Sequence, residues 1–267
     1  MKTYLRTFKL TNTNQRVIKL IVYFYFLCSL KVHIFATIIG SGANFPHPFL
    51  KEAFDQYSTS MNVSINYTPH GSKNGYIDLK NQEVDFAAVD LFLSDKLINQ
   101  LPEPRDILHI PITLSGIGIA YSLPNIQDLN LTPTVLAELL IGKITHWNDP
   151  KIQALNPNSS LPNLKVIRIT REAGSGSTYI LTQYLSFLNS AWKQSFGVSS
   201  TLEIPGTLRA KNSQEMGELI AQIPGSIGYI GIAYQKLFGL SFAAMQNSAG
   251  LFIKPTLNFI LRTSLRK

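Results

Sequence analysis

The chain has 267 residues, 45% of them hydrophobic and 15% charged. That is enough for one large domain or two lobes with a full core, and it excludes wholesale disorder. The formal net charge of +8 sits at the ends: residues 1–36 carry six basic residues and 254–267 four more, without an acid, which leaves 14 basic residues against all 16 acids in 37–253, and so slightly acidic a body excludes a basic nucleic-acid face.

Residues 20–30, LIVYFYFLCSL, form an uncharged run between Lys19 and Lys31. It is too short to cross a bilayer as a helix, which takes about 20 residues. A basic leader followed by such a run reads as a secretory signal peptide cleaved after Ala36, or as an uncleaved N-terminal anchor. Either implies an exported protein, periplasmic or associated with the cell surface. Cys28 is the only cysteine, and it lies inside the run. Leu27 before it is larger than a lipoprotein signal wants, and a single thiol forms no internal disulfide.

Past Ala36 a strand is expected at 36–40. A helix follows at 48–61, where Leu50, Phe54, Tyr57 and Met61 make one apolar stripe. Strands follow at 63–68 and 85–89. The long run 107–121, with Pro111, Gly116 and Gly118, reads as a strand that leaves one sheet and enters another. Thr132 and Pro133 suit the cap and first position of a helix over 132–141. A strand at 165–170 precedes a helix at 176–189 with the stripe Leu181, Tyr184, Leu185 and Leu188. A helix at 213–223 (Met216, Leu219, Ile220, Ile223) and strands at 226–233 and 240–245 complete the pattern. Such alternation implies an α/β fold with mainly parallel sheets. A second crossing near 233–241 would return the chain, giving two lobes with a cleft between them. The expected division is 1–36 as leader, 37–112 as lobe 1, 113–240 as lobe 2 and 241–267 as a return to lobe 1.

Four clusters of small polar residues end apolar strands: Gly40–Pro46, His70–Gly75, Asp90, and Arg171–Thr178. Ligands of open α/β sheets sit beyond the carboxyl ends of the strands. A Gly/Ser turn that opens a helix presents free backbone N–H groups and the positive end of the helix dipole. The set favours a small oxyanion. Each cluster alone is an ordinary turn or cap. No nucleotide P-loop and no GxSxG elbow is present. The five histidines show no metal-ligand spacing. No metal and no cofactor is expected.

Taken in order, the clusters are more specific. GSGANFPHP at 40–48, NYTPHGSKNG at 66–75, VDFAAVDLFLSD at 84–95, IGKITHWND at 141–149, REAGSGSTYILTQYL at 171–185 and IPGSIGYIGIAY at 223–234 resemble the phosphate-specific substrate-binding proteins of bacterial ABC importers. The resemblance runs from about 38 to 250. It implies a two-lobed periplasmic-binding-protein-like fold with a hinge and a central cleft that closes on inorganic phosphate, no catalysis, and a membrane ABC importer permease as partner. It also implies a monomer. The phosphate ligands it implies are Asn44, the Phe45 N–H, Ser72, Asp90, Arg171, Ser175, the Gly176 N–H and Ser177. Asn44 stands where the family usually has Thr, and Ser177 where Thr is commoner. The tail LFIKPTLNFILRTSLRK after Gly250 lacks the family's pattern, so the C-terminal part of the first lobe is expected to be missing and stability reduced.

A sensor or scavenger of another oxyanion, a non-functional fragment and a phosphoesterase are the competing readings. The last needs a nucleophile with a base, or a metal cluster, and the sequence offers neither. Within the resemblance Asp90 has a specific role: hydrogen phosphate can donate a proton to a carboxylate, and sulfate at neutral pH cannot.

Overall fold

The computed structural model describes residues 37–90, 92–102, 107–114, 116–172 and 174–256. The leader with Cys28 and the tail 257–267 lie outside the described residues, so the signal-peptide and truncation readings are not addressed by them. Among the described residues no helix is long and apolar enough to cross a membrane.

The first lobe alternates strand and helix: β1 (Thr37–Gly42), α1 (His47–Met61), β2 (Ser64–Pro69), α2 (Ser72–Lys80), β3 (Phe86–Ala88) and α3 (Asp95–Ile98). Its sheet has the order β2-β1-β3 and is parallel throughout. All three strands therefore end on one edge, where the GSGANF, HGS and Asp90 clusters lie. The buried core is small, Ala43, Leu50 and Ala88, with Phe54 and Tyr67 packed against it. The Phe54 ring meets Phe86 edge-on at 5.7 Å, and Tyr67 stacks on Phe86 at 6.0 Å. Of the expected α1 stripe Leu50 is buried and Phe54 half-buried, while Tyr57 and Met61 remain exposed.

Gly42 ends β1 at φ 128°, in the region that favours glycine, and a Cβ there would sit 2.1 Å from the Ala88 carbonyl oxygen. Neither the angle nor the space admits a side chain, because the same backbone accepts the Gly71 N–H at 2.7 Å. Gly42→Ala is expected to destabilise the first lobe by about 3 kcal/mol, read as a lowered denaturation midpoint.

The second lobe contains β4 (Ile117–Tyr121), β5 (Asn130–Leu131), α4 (Pro133–Ile141), α5 (Pro150–Leu155), β6 (Ile167–Arg171), α6 (Gly176–Leu188), α7 (Ser190–Ser195), β7 (Leu208–Ala210), α8 (Ser213–Gln222), β8 (Ser226–Gly231), α9 (Tyr234–Phe238), β9 (Ser241–Phe242), β10 (Ala244–Gln246) and β11 (Phe252–Ile253). The main sheet has the order β7-β6-β8-β4-β9. β6 runs parallel to β7 and β8, whereas β4 is antiparallel to both β8 and β9, so the sheet is mixed rather than mainly parallel. The caps follow the sequence. Thr132 accepts the Val135 N–H at 3.2 Å, and Gly142 closes α4 in the left-handed region. Trp147 and Trp192 are buried with Tyr121, Tyr229 and the leucines of α4 in one large core. The Trp147 indole donates to the Gly225 carbonyl at 2.9 Å.

Two further expectations fail. Among the described residues of the run 107–121, only 117–121 is strand. Pro111 lacks a ladder donor, β3 pairs with β1 and with no second strand among the described residues, and Leu108, Ile110, Ile112 and Leu114 are left exposed. Nor do residues 241–256 return to the first sheet. β9 extends the edge beside β4, and β10 pairs with β5 and β11, because these short strands find open edges in the second lobe.

Candidate functional site

Five strand ends converge on one cavity between the lobes. It is lined by all eight residues singled out from the sequence, Asn44, Phe45, Ser72, Asp90, Arg171, Ser175, Gly176 and Ser177, and additionally by Gly71 and Ser213. The first four come from the first lobe. The turn after β1 carries Asn44 and Phe45, Gly71 and Ser72 open α2, and Asp90 follows β3. From the second lobe come Arg171, the last residue of β6, and Ser175–Ser177, which open α6.

Among the described residues Arg171 is the one cation in the cavity lining, and it is 4% exposed. Its Nη1 donates to Ser213 Oγ at 3.1 Å, and its Nη2 donates to Asn44 Oδ1 at 3.1 Å and the Lys211 carbonyl at 3.3 Å. Its Nε is buried with no partner among the described residues. Burial pulls the guanidinium pKa down, against the pull of the Tyr229 and Tyr234 phenols and of Asp90. The main chain of Arg171 donates to Tyr229 Oη at 3.0 Å, and that hydroxyl shares a 2.7 Å hydrogen bond with Thr178 Oγ1 in the first turn of α6. One buried tyrosine thus fixes the arginine relative to the helix.

Asp90 accepts from Ser72 Oγ at 3.0 Å through Oδ2. Its Oδ1 is buried without a partner among the described residues. Burial raises the carboxyl pKa, while the Ser72 hydrogen bond and the Arg171 charge pull it back. The carboxylate lies against the start of α6, since a Cβ on Gly176 would come 1.8 Å from Asp90 Oδ2. Ser175 caps α6 by accepting the Thr178 N–H at 3.2 Å, which leaves its own O–H as a donor.

The lobes meet at the Asn44 turn. Tyr234 Oη donates to the Asn44 carbonyl at 2.7 Å, and the Phe45 ring abuts Gly231 at the end of β8. Burial pushes the Tyr234 phenol up to about 12, so it remains a donor at neutral pH.

Chemically the cavity offers, among the described residues, one buried guanidinium, several neutral O–H and N–H donors, and one buried carboxylate with an unpartnered oxygen. As a carboxylate, Asp90 suits a small oxyanion that still carries a proton to donate. Among the described residues no three of His, Cys, Asp and Glu come together as metal ligands. His109 instead accepts the Leu93 N–H at 3.3 Å, and His146 pairs with Lys165 in an isolated bridge.

Sequence reasoning missed Ser213. Its signal was present: Asn212 and Glu215 flank it in a capping pattern at the start of the expected helix, and Asn212 Oδ1 accepts the Glu215 N–H at 2.9 Å. Gly71 lay inside a quoted motif but was not assigned to the site. Tyr229 was hidden in an apolar strand.

A family model described as the PBP superfamily domain matches residues 33–260. The phosphate-binding protein PstS of Haemophilus influenzae is 33% identical over 237 residues, 87% of this chain and 70% of that protein. The PstS of Xylella fastidiosa is 33% identical over 82% of this chain and 60% of its own length. The chain thus spans 60–70% of these curated relatives. Among solved structures, a Clostridium perfringens phosphate ABC transporter substrate-binding protein with bound phosphate superposes with a TM-score of 0.62 at 18% identity, covering 86% of this chain and 82% of that one.

Proposed function

The chain belongs to the PBP superfamily and, within it, to the family of phosphate-binding proteins named PstS, and we propose from that premise that its cavity holds one inorganic phosphate, which the protein passes unchanged to an ABC importer. The observation that carries the reading is the pairing of the buried Arg171 Nε with the buried Asp90 Oδ1, both lacking partners among the described residues, in one cavity. A guanidinium N–H supplies a charge-assisted donor, and a carboxylate supplies an acceptor. Hydrogen phosphate uses both. Sulfate would leave Asp90 facing like charge with nothing to accept. The eight residues named from the sequence are the proposed ligands, with Ser213 orienting Arg171. The protein works after export, as a monomer that closes its lobes on the anion. It is not an enzyme in this reading: the Asp90 carboxylate that Ser72 donates to is assigned to the proton of the bound phosphate, and Ser175 caps α6.

Calorimetry of the protein with phosphate, alone and against excess sulfate, tests the reading. Tight, sulfate-resistant binding is expected, and binding that sulfate competes away evenly would overturn it. Asp90→Asn is expected to narrow the phosphate-over-sulfate ratio at least about tenfold, the worth of one unpaired buried polar group.

The same substitution has a pH signature. Burial raises the Asp90 pKa above its ordinary 3.8, so folding favours the protonated acid. Stability from this group is full below the ordinary value, falls as pH rises toward the folded-state value, and then stays low. At neutral pH the protein without ligand therefore bears the cost of a buried charge. Asp90→Asn is expected to raise Tm at pH 7 by a few degrees, about 2–4 °C per kcal/mol recovered. The gain should shrink as pH falls toward 4. A gain independent of pH would refute the assignment.

A further inference from the structure

We infer that the Asn44 side chain is a partition that confines the anion cavity to unsubstituted oxyanions, and that removing it would admit phosphate monoesters; the inference rests on the phosphate reading above. Beside the anion cavity lies a larger cleft of about 360 Å³. His47 and Pro69 line it from the first lobe, and Lys211, Glu215, Glu218 and Tyr234 from the second. Asn44 is the one residue common to the two linings.

Both ends of its side chain are held. Nδ2 donates to the Pro69 carbonyl, and Oδ1 accepts from Arg171 Nη2 at 3.1 Å. Its own carbonyl is fixed by Tyr234 at 2.7 Å, and the residue is 5% exposed. To swing aside, the amide would have to give up two hydrogen bonds at a buried position, leaving Pro69 and Arg171 short of partners. The other border is equally fixed. Arg171 Nη1 holds Ser213, while Asn212, Gln214 and Glu215 on either side of it line the cleft. Both terminal nitrogens of the guanidinium are therefore engaged in the partition, and Nε is its atom without a partner among the described residues.

An inorganic anion leaves this wall intact. A monoester adds at least one carbon beyond a phosphate oxygen, and the large space next to the cavity lies behind Asn44. Cutting the side chain to alanine removes the whole amide and joins the two spaces. The cleft then sets which arm is welcome. Glu215 and Glu218 outnumber Lys211, and burial with the nearby Lys51 charge holds His47 toward its neutral form. An arm ending in an amine fits that balance better than an uncharged one.

The test is calorimetry of the full chain and of Asn44→Ala with three probes: inorganic phosphate, methyl phosphate and 2-aminoethyl phosphate. The wild-type chain should prefer phosphate over methyl phosphate by about a hundredfold, the scale on which a closed pocket rejects an added group. Asn44→Ala should weaken phosphate about tenfold, through the lost hydrogen bonds. It should also narrow the preference over methyl phosphate at least about tenfold, with 2-aminoethyl phosphate binding more tightly than methyl phosphate. Asn44→Ser, which can still donate to Pro69, should shift the ratio in the same direction if the alanine variant does not fold. The wild-type ratio tests the partition without any substitution. A wild-type chain that takes methyl phosphate as well as phosphate would overturn the inference and leave the phosphate reading standing. So would a folded variant that binds phosphate with its discrimination unchanged. A wild-type chain that binds none of the three would overturn both.

Discussion

Arg171→Met is expected to lower phosphate affinity by about 10²- to 10⁴-fold while leaving thermal stability unchanged or higher. The two effects separate because the guanidinium serves the ligand more than the fold. It is almost wholly buried, and burial pulls its pKa down, so the charged form bears a desolvation cost in the absence of a counter-anion. Its hydrogen-bond partners Asn44, Ser213 and the Lys211 carbonyl are neutral. Methionine fills a similar volume and carries no charge. Two charge-assisted hydrogen bonds to an anion, at ~1.5–3 kcal/mol each, account for the expected loss of affinity. Calorimetry paired with a thermal melt reads both quantities. Phosphate affinity preserved within tenfold would show that the anion is held elsewhere. A large fall in Tm would show that the arginine is structural.

Gly176→Ala is expected to cost at least about a hundredfold in phosphate affinity and nothing in the stability of the lobe that carries it. Gly176 is the first residue of α6 and has no positive φ, so alanine is the better helix former there by up to ~1 kcal/mol. The obstacle lies across the cleft. A Cβ would stand 1.8 Å from Asp90 Oδ2, 2.6 Å from its Cγ and 2.7 Å from its Cβ. A side chain as short as aspartate cannot bend its own Cβ away, so the first lobe has to back off. Closure, and with it the approach of Asp90 to the anion, is what the methyl group prevents. A melting temperature equal to or above wild type, together with lost binding, is the expected pair. Full binding would mean that Asp90 and the α6 N-terminus need not meet in the working state.

These two residues also show what could be read from the sequence. The family resemblance is what names Arg171 and Gly176 as ligands, and each ends or begins an element whose local pattern is plain. The stripe Leu181, Tyr184, Leu185, Leu188 marked α6, and KVIRIT marked the strand before it. Local signals of that sort also placed α1, α4 and α8 to within a residue or so. What escaped depended on partners far along the chain. ILHIPITL is apolar enough for a strand, but Pro111 removes a ladder donor, and the second edge of β3 stays unpaired among the described residues. LSFAAM was read as a return to the first lobe, yet β4 and β5 offer it open edges. Ser213 became a site residue only when β7 placed its turn beside Arg171. Pairing over such distances is decided by geometry, for which the local pattern carries no signal.

The unequal cores of the two lobes have an optical consequence. Both tryptophans, Trp147 and Trp192, are buried in the second lobe, and the aromatic rings packed against the small core of the first lobe are those of Phe54 and Tyr67. Intrinsic indole emission is thus a witness to one half of the molecule. A first lobe that loosened, by Gly42→Ala or by release from the Tyr234 and Gly231 contacts at the Asn44 turn, would leave that emission blue-shifted and steady. A fluorescence melt would then certify as folded a protein whose anion cavity had already come apart, because Ser72, Asp90 and the Asn44 turn belong to the half the indoles do not see.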